Sequence, residues 1–443
     1  MQNEKISLAG KVGFCLTNLG NIPIMTLLNT YLLIFYTDVI GVDPAVVGML
    51  FLVSRLLDGV SDPLLGFLVD RFPTTKIGKY KPVLIIGGIV CCLNYLLVWF
   101  SPLLFPNAKI LVIAISYILL GITFDLMDIP LNSLIPVLSK DEAERSLLSS
   151  IKGVSYTVGP TLLNVVAPLA ISTFATPIDG YLLLIFGTVF VVLFFTIGGA
   201  LLMKEQTAID SEEAQVQTSY SWKEALPILK LRPVISLFLA MLCITAATNI
   251  FNSSMLFYLN YVLKNPKLLS IASLLGLFAA LLAGIMQPYL TKKNGKLKVY
   301  LVSLIVLCLC LIGFIFFKGV VSFVFFYSGL QFFLGLTNTI QYSISADNVD
   351  LIREDVGIEA TALIASLTSL IMKFAMALGG ALPGFVLSFS GYVANQPQNP
   401  SAIKGIMLVT FGIPLLLYLI TALLFYRGFA QQLRKKVARL QRI

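Results

Sequence analysis

The sequence predicts an all-α, polytopic membrane protein of twelve transmembrane helices in two halves of six. Three observations predict it. The 443-residue chain is 58% hydrophobic and only 12% charged, and its mean hydropathy is +0.91, more apolar than a water-soluble fold accommodates. Its apolar residues come in runs of about 20, the length that crosses a hydrocarbon core of about 30 Å. In lipid every backbone polar group must be satisfied internally, so such runs read as helices.

Taken in order, the first six spans lie near 11–37, 43–70, 81–104, 109–138, 147–174 and 179–203. The first is too long for the apolar region of a signal peptide and lacks a small-residue cleavage site, so it reads as a span. Arg71, Lys76, Lys79 and Lys81 separate the second from the third, and Lys140 and Arg145 separate the fourth from the fifth. "KEQTAIDSEEAQVQTSYSWKEALPILKLRP" is the longest polar interruption and reads as a cytoplasmic linker ending in a short interfacial helix. The second six spans follow near 233–263, 267–291, 298–317, 319–345, 358–388 and 404–426, with Lys292, Lys293, Lys296 and Lys298 between the eighth and ninth. The organisation is therefore a bundle over 1–203, a linker over 204–232, a bundle over 233–426 and a basic tail over 427–443.

Charge sets the orientation. The loops just named and the tail (Arg427, Arg434, Lys435, Lys436, Arg439, Arg442) are basic, whereas the opposite loops hold only Lys109, Lys264, Lys267, Lys318 and Lys404. Positive loops stay inside, so both termini face the cytoplasm of a cell whose plasma membrane the chain spans. The same loops account for the net charge of +9 without a nucleic-acid partner. There is no histidine, which removes the usual proton switch and the commonest metal ligand. All six cysteines lie in apolar runs, so packing is their expected role. No phosphate-binding loop and no nucleophile–base set appears, so the chain does not read as an enzyme and needs no cofactor.

The halves rhyme: "GFLVDRFPTTKIGKYKP" closes the second span and "GIMQPYLTKKNGKLK" the eighth. Six plus six helices with this basic turn resemble the major facilitator superfamily, in which the solute binds near the midplane at the repeat interface.

A few charges lie inside the spans: Arg55, Asp58 and Asp62 in the second, Asp125 and Asp128 in the fourth, Lys152 in the fifth and Lys373 in the eleventh. Each costs about 2.5–3.5 kcal/mol at a bilayer centre, so such residues normally face a cavity and carry function. Asp58 and Asp62 are one turn apart and share a face, as do Asp125 and Asp128. Four carboxylates converging from two helices would hold a small cation through oxygen, or a proton. Arg55, one turn before Asp58, reads as its neutralising partner. Lys373 stands in "SLTSLIMKFAMALGG", a stretch without acid, and is expected to act as a mobile counter-charge to the N-half carboxylates, displaced when a cation binds. Polar walls are expected from Asn18, Asn21 and Asn29 in span one and from "NIFNSS", with Asn249 and Asn252, in span seven; interhelical hydrogen bonding explains both equally well.

"FYTDVIG" at 35–41, "LFLVSRLLDGVSDPLLGFLVDR", "GKYKP" at 78–82, "MDIP" at 127–130 and "ADNVD" at 346–350 resemble the glycoside–pentoside–hexuronide:cation symporter family, in order from about residue 10 to the tail. The resemblance implies a coupling cation (Na+, Li+ or H+) at Asp58 and Asp62, with Ser61 between them and Asp125 adding a carboxylate where the family has threonine. It implies solute binding at Asp128 and Lys152 and a coupling role for Lys373. Two departures stand out: Ile22, beside Asn21, where the family's melibiose carrier has an acid, and Asn132 where that carrier has an aromatic ring. The chain is thus expected to work as a monomer that moves a glycoside or other small polar solute with a cation. The rival readings are a lysolipid or drug transporter of the same fold and a non-transporting sensor. Gly159-Pro160 followed by "TLLN" matches only half of a drug-antiporter run.

Overall fold

A computed structural model describes residues 6–139, 141–205, 232–356 and 361–440. The interfacial helix expected in the linker, Trp222 and Lys140 lie outside them. Helix α1 spans Leu8–Leu27 and continues through π-helical turns at Leu28–Leu32 and Phe35–Val39. Then come α2 (Pro44–Asp70), α3 (Tyr80–Leu104), α4 (Lys109–Leu138), α5 (Glu142–Thr173) and α6 (Pro177–Leu202). The second set is α7 (Arg232–Phe257, with a π-helical turn at Tyr258–Val262), α8 (Leu268–Asn294), α9 (Lys296–Phe316), α10 (Val320–Val356) and α11 (Thr361–Phe389). Helix α12 runs from Pro400–Met407 through a π turn at Leu408–Gly412 into Ile413–Leu440.

Ten of these helices are long and apolar enough to cross a membrane. These are α3 to α12; α1 and α2 carry the asparagines of the first span and the charges Arg55, Asp58 and Asp62. Two helices outrun the spans expected for them. Helix α10 runs on past 345 to Val356, and α12 runs through the expected tail to Leu440.

The chain divides into two compact units, Met1–Val216 and Gln217–Ile443. Inside the first, α3 packs on α4, α1 on α5 and α6, α2 on α4, and α3 on α6. Inside the second, α9 packs on α10, α7 on α11 and α12, α8 on α10, and α9 on α12. Adding six to each helix number of the first set gives the second.

The repeat reaches the hydrogen bonds. At the end of α1, Ile40 N donates to Phe35 O at 3.1 Å and Val42 N to Tyr36 O at 2.9 Å. At the end of α7, Leu263 N donates to Tyr258 O at 3.0 Å and Asn265 N to Leu259 O at 2.9 Å. Each ladder ends on a left-handed residue, Gly41 (φ 71°) in the first and Lys264 (φ 54°) in the second. The π turns also aim an aromatic ring into each core. Phe35 lies 4.9 Å from Trp99 and 4.8 Å from Tyr181; Tyr258 lies 4.7 Å from Phe411. Trp99, fully buried, is therefore a core residue.

The basic turn before α3 is held from α6. Glu205 accepts hydrogen bonds from the backbone N–H of Lys79 (2.7 Å), Tyr80 (3.1 Å) and Lys81 (2.8 Å), the orphan donors of a helix N-terminus. Lys81 Nζ returns to Met203 O at 2.6 Å. Gly78 (φ 118°) lies where any Cβ would overlap the Glu205 carboxylate, so "GKYKP" needs its glycine. Residue 205, assigned to the linker from sequence, is thus a structural part of the first unit.

Candidate functional site

The first unit gathers the intramembrane charges on α2, α4 and α5. On α2 the i,i+3 spacing of Arg55 and Asp58 places them on one face, and Arg55 Nη1 donates to Asp58 Oδ2 at 2.9 Å, with side chains 10% and 5% exposed. The guanidinium also meets the Tyr117 hydroxyl of α4, and its second nitrogen lies 3.9 Å from Met25 Sδ of α1. Ser61 turns back and donates to Asp58 O at 3.3 Å. Asp62 stands one turn further along α2, half-buried.

Helix α4 comes close to Asp58 because residue 121 is glycine. A Cβ there would overlap Asp58 Oδ1. One turn later Asp125 stands in the electrostatic field of Asp128, Asp58 and Arg55. Its Oδ2 is buried and accepts no hydrogen bond from the described residues.

Asp128 is the centre of a second group. Asn21 Nδ2 of α1 donates to its Oδ1 at 2.8 Å and Asn132 Nδ2, one turn on, donates to its Oδ2 at 2.8 Å. Asn132 Oδ1 accepts in turn from Lys152 Nζ of α5. The ammonium lies 5.5 Å from the centre of the Tyr156 ring, one turn further along α5. A polar chain thus runs from α1 through α4 to α5, with Asn132 bonded to both Asp128 and Lys152.

Sequence spacing expected four carboxylates converging from two helices; in this structure Asp58 and Asp128 turn to partners of their own. Among the described residues no three His, Cys, Asp or Glu side chains stand close enough to hold a metal ion together. Asp58 is drawn to Arg55 and Asp128 to its two amides, which spreads the acids along α4. Of the other polar wall residues, Asn18 donates to Phe14 O of its own helix at 2.7 Å. In the second unit Asn249 donates to Thr245 O (2.8 Å), and Ser253 bonds Gly379 O of α11 (2.8 Å), with Gly379 packed against the Asn249 side chain. "NIFNSS" therefore joins α7 to α11. Asn252 on α7 and Lys373 on α11 are half-buried.

Sequence reasoning missed Gly121, Tyr117 and Tyr156. Gly121 carries no sequence signal, since only its neighbour on α2 explains it. Tyr156 had one: it stands four residues after Lys152, on the same helical face.

The family described as MFS/sugar transport protein matches residues 13–430. A putative sulfoquinovose importer of Escherichia coli K12 is 27% identical over 98% of this chain and 92% of its own length. An isoprimeverose transporter of Lactiplantibacillus pentosus is 28% identical over 91% of this chain and 85% of its own. A glucuronide carrier protein homolog of Escherichia coli K12 is 27% identical, covering 94% and 92%. Among solved structures, the nucleoside transporter NupG has a TM-score of 0.63 at 16% identity, covering 94% of this chain and 99% of its own. A bacterial homologue of the iron transporter ferroportin has a TM-score of 0.64 at 16% identity, covering 96% and 98%. At these identities the structural likeness speaks for the fold.

Proposed function

This chain belongs to the MFS/sugar transport protein family, and from that premise we propose that it brings a sugar or glycoside into the cell by symport with a cation. It is a multi-pass membrane transporter of a small sugar-type solute and not an enzyme. The finer reading is that it works as a monomer in the cell membrane with both termini in the cytoplasm. In this reading Asp58 and Asp62, with Ser61 and Asp125, draw together on the coupling cation (Na+, Li+ or H+) when it binds, and Asp128, Lys152, Asn21 and Asn132 hold the solute.

The observation that carries it is the register of α4. Asp125, with a buried oxygen that accepts no hydrogen bond from the described residues, and Asp128, held by two amides, are three residues apart on one helix. Ion and solute therefore act on the same turn, and filling one place alters the field at the other. The Arg55–Asp58 pair supports the same reading. An arginine neutralises Asp58 in this structure, and an arriving cation competes for the same carboxylate.

Uptake by right-side-out vesicles under sodium, lithium or proton gradients tests the proposal. Asp58→Cys and Asp62→Cys are expected to abolish gradient-driven accumulation while solute exchange survives. Asp58→Cys leaves a buried Arg55 uncompensated, a loss that costs about 3–5 kcal/mol. Asp62→Cys leaves that pair intact and is the cleaner test. Undiminished driven uptake by Asp62→Cys removes the cation assignment.

A further inference from the structure

We propose that a groove between α1, α5 and α6 is a binding site for an acyl chain of a membrane phospholipid, which stays there as a brace for α1. The lipid is resident and not cargo, so the proposal goes beyond the transport reading and does not depend on it.

The groove follows from where α6 is pinned. Toward its C-terminal end α6 meets α1 closely: a Cβ at Gly13 would overlap Gly199 O, and one at Gly20 would overlap the Thr196 hydroxyl. Toward its start α6 meets α5, where a Cβ at Gly180 would overlap the Ile171 backbone. Between these contacts α6 parts from both helices, and a Cβ at Gly187 would meet nothing within 4 Å. The space left is about 430 Å³, the size of a ligand site. Its walls are α5 between 159 and 170 and α6 between 183 and 195, and its floor is Leu19 and Pro23 of α1.

Three features name the occupant. The first is polarity. Among the described residues that line the groove, Thr188 alone has a polar side chain, and its hydroxyl is spent on Leu184 O at 2.7 Å. A sugar, a cation or a phosphate group would be desolvated there without a partner.

The second is depth. Leu183 lies about 9 Å along α6 from Pro177, and the groove runs on for about 18 Å to Phe195. It begins below the headgroup level and is as long as the ~15 Å that the chains of one leaflet fill. The third is continuity with the bilayer. Leu162, Val166 and Leu183 line the groove and are exposed, as are Phe190 and Phe194 beside it on α6. An exposed apolar face at this depth of a membrane-crossing helix meets lipid tails. An unfilled hollow in that face forfeits dispersion contacts on both sides, and an acyl chain restores them.

The floor gives the chain its role. Pro23 has no N–H for the Leu19 carbonyl, so α1 lacks a helical hydrogen bond at this turn. The same turn carries Asn21, which holds Asp128 from the opposite face of α1. A chain packed on Leu19 and Pro23 supports the helix where its own ladder is broken.

The test is photolabelling of the purified full-length protein in phosphatidylcholine nanodiscs that carry a trace of phosphatidylcholine with a diazirine midway along one acyl chain. Light expels N2 and leaves a carbene, which inserts into a neighbouring C–H bond, and mass spectrometry locates the added lipid. Label on peptides covering 159–170 and 183–195 is expected to exceed, several-fold, the label around Ile305 and Leu309, which are exposed on α9. A phosphatidylglycerol probe with the same chain is expected to give the same pattern. Gly187→Phe fills the groove and is expected to remove the excess. Gly198→Phe, about three turns along α6 and also in open space, is expected to keep it. In detergent, added phosphatidylcholine is expected to raise the unfolding midpoint of the wild type and of Gly198→Phe more than that of Gly187→Phe. If Gly187→Phe fails to fold, Gly187→Leu replaces it, and the wild-type ratio decides by itself. Label spread evenly over the groove and α9, an excess that survives the filled groove, or a pattern that follows the headgroup each overturns the proposal. An unlabelled groove in a protein that is dimeric in the nanodisc gives the face to a second copy and overturns it too. Sugar uptake by the same preparation is measured alongside, and even labelling with intact uptake would remove the lipid site and leave the transport reading standing.

Discussion

Asp58 fills the space that a methyl group at position 121 would take. Gly121→Ala is therefore expected to push the carboxylate away from α4, with an overpacking cost of about 1–3 kcal/mol, and to cut driven uptake. Gly59→Ala, one residue from Asp58 but with open space around it, is the control and is expected to keep it. At Asp128 the expected effect is on affinity. Asp128→Asn replaces an acceptor that serves Asn21 and Asn132 by a group with its own donors, and charged hydrogen bonds contribute about 1.5–3 kcal/mol each. Titration of solute and cation separately checks this: solute Kd is expected to rise at least about tenfold and cation Kd much less. Spacing made part of this site legible. Arg55–Asp58 and Asp128–Asn132 are i,i+3 and i,i+4 pairs. The Asn21–Asp128 bond joins two helices and the glycine at 121 answers to a residue on α2; periodicity within one helix carries no trace of either.

Helix ends obey two different signals, and the sequence reading followed only one. Hydropathy marks where a helix leaves the membrane, whereas glycine, proline and capping groups mark where it stops. From Leu336 to Val356 there is no glycine or proline, and α10 continues through its polar residues to the position before Gly357. The same absence after Gly428 carries α12 to Leu440. The start of α3 shows the converse. Its cap is Glu205, which comes from beyond the end of α6 and was invisible as a cap because caps are sought next to the helix they serve. Glu205→Gln keeps the shape and removes the charge that three backbone N–H groups and the helix dipole favour. A loss of about 1 kcal/mol is expected, read as a lower unfolding midpoint, with Glu205→Asp intermediate. An unchanged midpoint would mean that the turn before α3 holds without its latch.

On the scale of the whole molecule, charge alone supports the inside position of both termini, and this has a direct check. After the native cysteines are replaced, Lys76→Cys and Lys293→Cys are expected to react with an impermeant maleimide only in opened cells, and Lys264→Cys in intact ones. The reverse pattern would invert the topology. The six-plus-six organisation was faint in the sequence, visible as one basic turn after span two and another after span eight. It is plain in the packing, because shape tolerates substitutions that erase a sequence match. The ladders at the ends of α1 and α7 have a consequence of another kind. Two identical exits in two units are the mark of duplication from an ancestral six-helix half. The two exits differ at the left-handed position, glycine in the first and Lys264 in the second. That conformation costs a residue with a Cβ about 1–2 kcal/mol. Lys264→Gly is thus expected to raise the unfolding midpoint and Gly41→Lys to lower it. In the second half the same bend is made by a residue whose Cβ resists it.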